Sequence, residues 1–295
     1  MFKYLMEHRA KLLEDHLLQE LKQTAILDEK LYKAMEYSLM AGGKRLRPIL
    51  LMAAADAVAS HGIKGENFLS VASAIEMIHT YSLIHDDLPA MDNSDYRRGK
   101  LTNHKVFGEA EAILAGDALL TLAFEVMTRQ RNVKYPALLE VIMELSKASG
   151  SGGMVGGQSI DLESEGKKID LDTLKKMHLG KTGALFRASI RCGAILAGAS
   201  NNQLSALTNY ADSFGLAFQI TDDILDVEGD ENYIGKPVGG DEKNLKSTYV
   251  TLTSLDEAKN LANAAIQNAV AALKNFGDEA DFLRELVKYL IERKK

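Results

Sequence analysis

Apolar side chains recur at helical spacing over about seven turns in the last third of the chain. Alternating steps of three and four residues connect the members of this stripe, which are Leu204, Leu207, Ala211, Phe214, Phe218, Thr221 and Leu225. An earlier stripe follows Phe68, Val71, Ala72, Ile75, Ile78 and Ser82. Because a strand would repeat every two residues, each stripe predicts one long helix with an inward apolar face.

Signals for other fold classes are scarce along the chain. There are four prolines in 295 residues, at positions 48, 89, 136 and 237, where average usage of about 5% would give roughly fifteen. No segment alternates apolar and polar residues between turn signals, so few strands are expected. We therefore predict an all-α, single-domain bundle of ten or more helices over residues 1–295.

Charge and cysteine content narrow the class of protein. The 35 basic and 41 acidic side chains give a net charge of −6, which argues against a nucleic-acid-binding surface. The single cysteine, Cys192, excludes an intrachain disulfide and a multi-cysteine zinc site, as expected in a reducing cytoplasm. The most apolar stretch, 112–127, contains Asp117 and Glu125 and is shorter than the ~20 residues of a membrane span. We expect a cytoplasmic protein without membrane insertion.

Both apolar stripes end in aspartates. The two clusters are Asp86, Asp87 and Asp92, and then Asp222, Asp223 and Asp226. Asp222 lies four residues after Phe218 and three before Leu225, which places it on the apolar face, and Asp226 projects to the same side. A desolvated carboxylate costs several kcal/mol unless a cation compensates it. The alternative is that each cluster is a solvated acidic helix end.

Oxygen ligands without neighbouring cysteine suit Mg²⁺, which keeps several waters and bridges carboxylates to substrate phosphates. His85 beside Asp86 also raises the possibility of zinc, although one histidine is weak evidence. Asp86 and Asp92 are about 240° apart on a regular helix, so they share a face only if the helix is interrupted. Pro89 lies between them and supplies a reason for that interruption.

Four basic groups accompany the aspartates. They are Lys44 and Arg47 after the glycine pair 42–43, Arg97 and Arg98 after the first cluster, Lys181, and Lys236. Each alone is typical of a surface charge. Arginine forks match phosphate oxygens, so carboxylates for a metal combined with several cations indicate an enzyme that acts on diphosphate esters.

Together these motifs resemble the trans-prenyl diphosphate synthase family. The matching segments are Gly-Gly-Lys-Arg-Leu-Arg-Pro (42–48), Asp-Asp-x4-Asp with Arg-Arg-Gly (86–99), Gly-Gly-Gln (156–158), Lys-Thr-Gly (181–183) and Phe-Gln-x-x-Asp-Asp-x-x-Asp (218–226). Within the family the chain is most similar to bacterial farnesyl diphosphate synthases, or geranyltranstransferases, whose first aspartate motif has the same two-residue expansion. Asn93 departs from the pattern, because many relatives have aspartate there.

The resemblance implies a helical bundle around a central cavity, the isoprenoid synthase fold, and a role for each motif. The six aspartates would hold Mg²⁺, three ions per site, against an allylic diphosphate that Arg97, Lys181 and Lys236 also contact. Isopentenyl diphosphate would be bound by Gly43, Lys44, Arg47, His79 and Arg98. Thr182 and Gln219 would face the developing carbocation. In this charge balance six carboxylates offset three ions, and three cations offset each diphosphate.

The implied activity is the Mg²⁺-dependent head-to-tail condensation of isopentenyl diphosphate with dimethylallyl or geranyl diphosphate in isoprenoid biosynthesis, by a homodimer. Tyr81 and Ser82 precede Asp86 by five and four residues. Tyr81 is therefore about 7.5 Å back along a helix and could form the floor of the allylic pocket. The alternative is a tyrosine packed in the core. We expect a fifteen-carbon product, with the twenty-carbon product of geranylgeranyl diphosphate synthases as the rival.

Other readings of the same residues predict different proteins. A carboxylate-bridged di-iron protein needs two Glu-x-x-His elements, and the sequence has one, Glu76 to His79. A metal phosphohydrolase would need further histidine ligands, and a non-catalytic scaffold would not explain the paired clusters. A head-to-head synthase or terpene cyclase would use metal-binding aspartates in the same way, but it would not need Lys44 and Arg47 for a second, homoallylic diphosphate.

Overall fold

The computed structural model of the protein describes residues 2–59, 64–228 and 247–292. Within these ranges the α-helices are α1 (Phe2–Gln23), α2 (Glu29–Leu39), α3 (Leu46–Val58), α4 (Leu69–Asp86), α5 (Asn103–Phe107), α6 (Glu109–Thr128), α7 (Tyr135–Ser149), α8 (Met154–Ser164), α9 (Leu171–His178), α10 (Ala184–Leu196), α11 (Asn201–Glu228), α12 (Tyr249–Leu252), α13 (Leu255–Ala272) and α14 (Asp281–Glu292). Short 3₁₀ turns cover Gly65–Phe68 and Asp278–Ala280, and a π-helical turn, Leu179–Gly183, joins α9 to α10.

The core is arranged around α3 and α10, which pack against each other. Both helices contribute to two apolar clusters, one that includes α4, α6 and α7 and another that includes α11, α13 and α14. Such two-sided burial explains why the sequence of α3 is apolar almost all round. Cys192 is buried in α10 as part of this core.

The two apolar stripes form α4 and α11. The 28 residues of α11 extend over about 42 Å at 1.5 Å per residue, and this helix packs on α10 and α13. α4 packs on α6 and ends at Asp86. The prediction of an all-α bundle of ten or more helices is confirmed.

The loop before α3 is fixed by a buried arginine. Gly42 and Gly43 have φ values of 86° and 119°, and Arg45 also has a positive φ of 50°. Its guanidinium is fully buried and donates to the carbonyl of Leu39 at 2.8 Å and to Glu76 at 2.7 Å. These bonds offset the strain of the left-handed conformation and orient the start of α3.

One small antiparallel hairpin interrupts the helical pattern. Its strands are β1 (Tyr96–Arg97) and β2 (Lys100–Leu101), joined by Arg98 and Gly99. The φ values of these two residues are 54° and 75°, as required by the tight two-residue turns that match the twist of a hairpin. The hairpin directs Arg97 and Arg98 to different partners. Within the described ranges, no helix has both the length and the apolar character needed to cross a membrane.

Candidate active site

A cavity of about 760 Å³ separates the carboxyl-terminal parts of α4 and α11. Asp86 of α4 and Asp222 of α11 both line it, and α8 and the π-helical turn complete its wall. The two aspartate clusters, 130 residues apart in the chain, therefore approach the same space from different helices. This arrangement could bind a divalent ion together with an anionic substrate.

The first cluster is formed where α4 stops. The helix ends at Asp86, three residues before Pro89, and the chain then turns back, so that the amide of Asp92 donates to the carbonyl of Asp86 at 2.9 Å. This turn brings Asp92 back towards Asp86, as the position of Pro89 predicts. Burial raises the pKa of Asp86 to about 6, and the neighbouring carboxylates of Asp92 and Asp87 add to the shift. A cation bound beside Asp86 would favour its ionised form.

Asp87 is not among the residues that line the cavity. It is buried, and Nε and Nη2 of Arg97 donate to its carboxylate over 2.7–2.9 Å. Arg97, at the end of β1, lines the cavity as well. Asp87 thus anchors Arg97 at the rim in a bidentate geometry that lysine cannot reproduce.

The second cluster lies on a helix that does not stop. α11 continues through all three aspartates to Glu228. Asp222 is exposed and lines the cavity together with Phe218 and Gln219. The expectation that Asp222 belongs to a buried apolar face is wrong, because the last turns of that face border the open cavity rather than the core.

Asp223 and Asp226 are the buried members of this cluster. The amide of Tyr249, at the start of α12, donates to Asp223 at 2.7 Å. Asp222 and Asp226, which helical spacing places on the same side of α11, differ in burial, because Asp226 is buried where Asp222 is exposed. Asp226 is not on the described wall of the cavity, whereas Asp223 is.

Lys181 and Thr182 reach the cavity from the π-helical turn. Lys181 forms an ion pair with Asp161 of α8, which lines the cavity too. Sequence reasoning missed Asp161, although its position three residues after the motif glutamine Gln158 was an available signal. The charge balance must be corrected accordingly, because Lys181 and Arg97 already have carboxylate partners and are not free counter-charges for a diphosphate.

Gly157 explains why α8 approaches the π-helical turn so closely. A Cβ atom on Gly157 would lie 2.0 Å from the backbone nitrogen of Lys181 and 2.6 Å from the carbonyl carbon of Gly180. Only glycine permits this backbone contact. The contact lies within one chain.

A second cationic group lines the same cavity as Lys181 and Arg97. Arg47, in the first turn of α3, approaches His79 with 3.3 Å between Nη1 and Nε2, and its guanidinium lies 4.5 Å from the ring centroid of Phe186. Burial, with the charge of Arg98 nearby, lowers the pKa of Arg47 to about 10. Burial and then the charge of Arg47 lower the pKa of His79 well below its usual value, so His79 is a neutral partner in this group. Arg47, His79 and Arg98 all line the cavity.

Gly43 leaves room for Arg98. A Cβ atom on Gly43 would lie 2.6 Å from the guanidinium carbon of Arg98, which donates to the carbonyl of Gly42. Lys44 is half-buried on the same loop and is not part of the described cavity wall. Lys236 lies outside the described residues.

Tyr81 and Ser82 line the cavity one turn or more before Asp86. Tyr81 is buried, and its ring meets that of His85 edge to face with 5.7 Å between centroids. Nε2 of His85 lies 3.0 Å from the carbonyl oxygen of Ile113. His85 therefore packs between α4 and α6, and this contact to a main-chain oxygen occupies one of the two ring nitrogens that could bind zinc.

The acidic side chains on the cavity suit a hard divalent cation that is bound partly by the substrate, and they do not form a complete metal site by themselves. Among the described residues, no three acidic, histidine or cysteine side chains converge as a metal site. Asp86 and Asp222 nevertheless face one cavity, and the raised pKa of Asp86 indicates a carboxylate that lacks a sufficient counter-charge. Mg²⁺ usually takes one or two carboxylates and completes its shell with water and substrate phosphates, which matches this arrangement.

Residues 28–290 match the polyprenyl synthetase family. The chain belongs to that family. It is 53% identical to a farnesyl diphosphate synthase of Geobacillus stearothermophilus, over 83% of this chain and 82% of the relative, and 45% identical to a geranylgeranyl diphosphate synthase of Cyanophora paradoxa, over 89% and 87%. The crystal structure of an FPP/GFPP synthase from Zymomonas mobilis matches with a TM-score of 0.87 and 40% identity, over 98% of both chains.

These comparisons confirm the family, the isoprenyl synthase type of helical fold and the prenyltransferase class of activity. They do not test the assignment of single site residues, which remains a prediction.

Proposed function

We propose that this prenyltransferase condenses isopentenyl diphosphate with dimethylallyl or geranyl diphosphate, head to tail, and releases farnesyl diphosphate. The observation that supports this proposal most is the single cavity that Asp86 and Asp222 line together with two separate cationic groups, represented by Lys181 and Arg47. Two cationic groups suit two diphosphate substrates. A terpene cyclase takes one diphosphate and would have no use for the second group, and neither it nor a head-to-head synthase needs a site for a homoallylic diphosphate.

The allylic diphosphate is assigned to the side of the cavity that contains Asp86, Asp222, Arg97 and Lys181. Bound there, Mg²⁺ would be held by the aspartates, Asp86 and Asp222 foremost, and would stabilise the negative charge of the leaving diphosphate. Arg97 and Lys181 would orient the same diphosphate, since each is fixed by its own carboxylate partner, Asp87 or Asp161. The number of three ions per site stays a prediction of the family resemblance.

Isopentenyl diphosphate is assigned to Arg47, His79 and Arg98, with Gly43 and Lys44 on the adjoining loop. The half-buried Arg47 lies over Phe186 and beside a neutral histidine, so a bound diphosphate would add negative charge beside the two arginines of this group. Arginine donates two parallel hydrogen bonds to phosphate oxygens, which fixes the orientation of the nucleophilic double bond.

The remaining wall keeps the reacting carbon atoms away from water. Met91, Met154, Met177 and Phe218 line the cavity between the charged groups, and such a surface limits capture of a carbocation by solvent. Thr182 and Gln219 are assigned to the developing positive charge, because both line the same cavity next to Lys181 and Phe218.

Incubation of the purified protein with Mg²⁺, isopentenyl diphosphate and either allylic substrate tests the proposal. Mass spectrometry of the dephosphorylated alcohols should show farnesol as the main product, and EDTA should abolish its formation. Recovery of only cyclised hydrocarbons, or of a cyclopropyl dimer, would instead identify one of the alternative enzyme classes.

Product length is assigned to Tyr81, with Ser82 beside it. Replacing the buried ring by a methyl group in Tyr81→Ala opens space behind the allylic pocket, so the product should lengthen to twenty carbons or more. Tyr135→Ala, which removes a ring that is 84% exposed, is the matched control and should leave the product at fifteen carbons. A wild-type enzyme that already makes the twenty-carbon product would favour the geranylgeranyl alternative.

We also infer a homodimer. Exposed apolar side chains lie on α6 and α7, which contact each other, and they include Ile113, Leu114, Leu139 and Met143. Light scattering of the native protein should give twice the chain mass, and Leu139→Glu with Met143→Glu should halve it. The cytoplasmic location and the single domain over residues 1–295 remain predictions of the sequence.

A further inference from the structure

Gln158 has an unusual environment on the wall of the cavity. Its side chain is buried, with 8% exposure, and it lines the cavity from α8. Neither its Nε2 nor its Oε1 atom has a hydrogen-bond partner among the described residues. Buried amides are nearly always hydrogen-bonded, because an unpaired one loses its contacts with water without compensation. An amide left in this state beside a cavity indicates a polar partner that enters the cavity.

The position of Gln158 along α8 identifies which part of a substrate it meets. Met154, Gln158 and Asp161 all line the cavity, and their spacing of four and three residues places them on one face of the helix. Along the helix axis, Gln158 lies about 6 Å from the apolar Met154 and about 4.5 Å from Asp161. Gln158 therefore marks the boundary between the apolar pocket and the charged end, where an allylic carbon–oxygen bond would lie.

The neighbouring Gly157 fixes this position. Its contact with the backbone of Lys181 and Gly180 leaves no space for α8 to rotate or shift against the π-helical turn. Lys181, Thr182 and Gln158 thus belong to two elements in direct backbone contact. The backbone of Gln158 is therefore held in place by this packing, and its side-chain amide has no hydrogen-bond partner among the described residues.

We propose that Gln158 is a catalytic residue whose side-chain carbonyl stabilises positive charge on the allylic fragment, an inference that rests on the proposed function. In that reaction the allylic carbon–oxygen bond breaks and its electron pair leaves with the diphosphate. The double bond of isopentenyl diphosphate supplies the electron pair of the new carbon–carbon bond, and the departing diphosphate takes the proton that is lost. The oxygen end of a fixed amide dipole lowers the energy of the cationic transition state.

The chemistry of glutamine suits this role. A carboxamide is neutral over the whole physiological pH range and is a weak nucleophile, so it neither activates water nor traps the cation. A carboxylate at the same place would compete with Asp161 for Lys181, since both would lie within one turn of α8.

Gln158→Met is the main test, because methionine has a similar volume without the amide. We expect kcat with geranyl diphosphate to fall about tenfold to a hundredfold, while KM for both substrates changes less than about threefold. The midpoint of thermal unfolding should stay the same or rise, since the variant removes an unpaired buried polar group. Gln267→Met makes the same chemical change on the exposed surface of α13 and is the matched control.

Two results of this comparison would overturn the proposal. One is a kcat for Gln158→Met within twofold of wild type. The other is a fall in the unfolding midpoint together with activity, which would show that the amide has a structural hydrogen-bond partner. If the wild-type protein itself makes no prenyl product, the proposed function fails instead, so the two failures are distinguishable.

A second measurement separates charge stabilisation from simple misalignment. 2-Fluorogeranyl diphosphate forms a less stable cation than geranyl diphosphate, and the ratio of their single-turnover rates reports the cationic character of the transition state. Loss of a stabilising dipole should raise this ratio in Gln158→Met by about threefold or more, because the transition state then occurs later along bond cleavage. An unchanged ratio, with a reduced rate, would assign Gln158 a positioning role and contradict the proposal.

Discussion

Each of the two clusters contains three aspartates, but the backbone that carries them differs. At the first cluster α4 ends at Asp86, and a turn brings Asp92 back to it. At the second cluster α11 continues past Asp226 without a break. In both, a less buried aspartate lines the cavity, Asp86 or Asp222, and another is buried and anchored, Asp87 or Asp223.

The anchors differ in kind. Asp87 is held by the side chain of Arg97, which itself lines the cavity. Asp223 is held by the backbone amide of Tyr249 and so ties α11 to α12. Substitutions at the first anchor should therefore disturb substrate binding, whereas substitutions at the second should disturb the fold. A count of aspartates in the sequence does not reveal this division.

The largest effect is expected where the two clusters are equivalent, at the cavity-facing carboxylates. Asp86→Asn and Asp222→Asn should each lower kcat/KM roughly a thousandfold at saturating Mg²⁺, because each removes a ligand that stabilises the leaving diphosphate. Steady-state release of pyrophosphate measures this loss. Asp95→Asn, which changes an exposed aspartate paired with Lys105, is the control and should retain full activity.

A large difference in kcat/KM between Asp86→Asn and Asp222→Asn would contradict the equivalence of the two clusters at the cavity. If Asp222→Asn retained more than a tenth of wild-type activity, the metal would be bound by the first cluster alone. The role assigned to the end of α11 would then be wrong.

A smaller effect should distinguish the side-chain anchor. Arg97→Lys keeps the positive charge but loses the two-pronged contact with Asp87, so kcat/KM for the allylic diphosphate should fall about thirtyfold. KM for isopentenyl diphosphate should change less than about twofold, because Arg47 and Arg98 are untouched. Arg131→Lys, on an exposed loop residue, should match wild type. Equal losses for both substrates would contradict the separation of the two diphosphate sites.

The sequence predicted the fold class, the two long helices and the place where α4 is interrupted, because these follow from local periodicity and from Pro89. It also singled out Asp86 and Asp222, which the structure places on one cavity, since carboxylates at the end of an apolar stripe are unusual. The family resemblance assigned Lys181 and Arg97 to a diphosphate.

The partners of those cations could not be predicted from spacing. Asp161 and Lys181 are twenty residues apart and meet only because Gly157 lets α8 contact the π-helical turn. The different burial of Asp222 and Asp226 was missed for a similar reason. Helical spacing predicts which residues lie on the same face of a helix. One part of that face can border a cavity while another part is buried, and only the tertiary structure shows where the boundary lies.

The smallest expected effect is on stability, and here the two clusters should respond with opposite signs. Burial raises the pKa of Asp86 to about 6 in the folded protein, from 3.8 for an unperturbed aspartate, so the folded state binds the proton more tightly than the unfolded state. Ionisation of Asp86 therefore costs stability, fully above pH 6 and progressively less as the pH falls towards 4. Without divalent ions at pH 8, Asp86→Asn should raise the free energy of unfolding by about 2 kcal/mol, allowing for partial solvent screening, and this gain should vanish near pH 4.

Asp223→Ala should instead lower the free energy of unfolding by about 2 kcal/mol, because the buried amide of Tyr249 loses its acceptor, and this loss should persist at both pH values. Urea denaturation at pH 8 and pH 4 measures both changes in the free energy of unfolding. A stabilising Asp223→Ala would contradict a structural role for Asp223. A gain for Asp86→Asn that is the same at both pH values would contradict the destabilising effect assigned to the ionised Asp86.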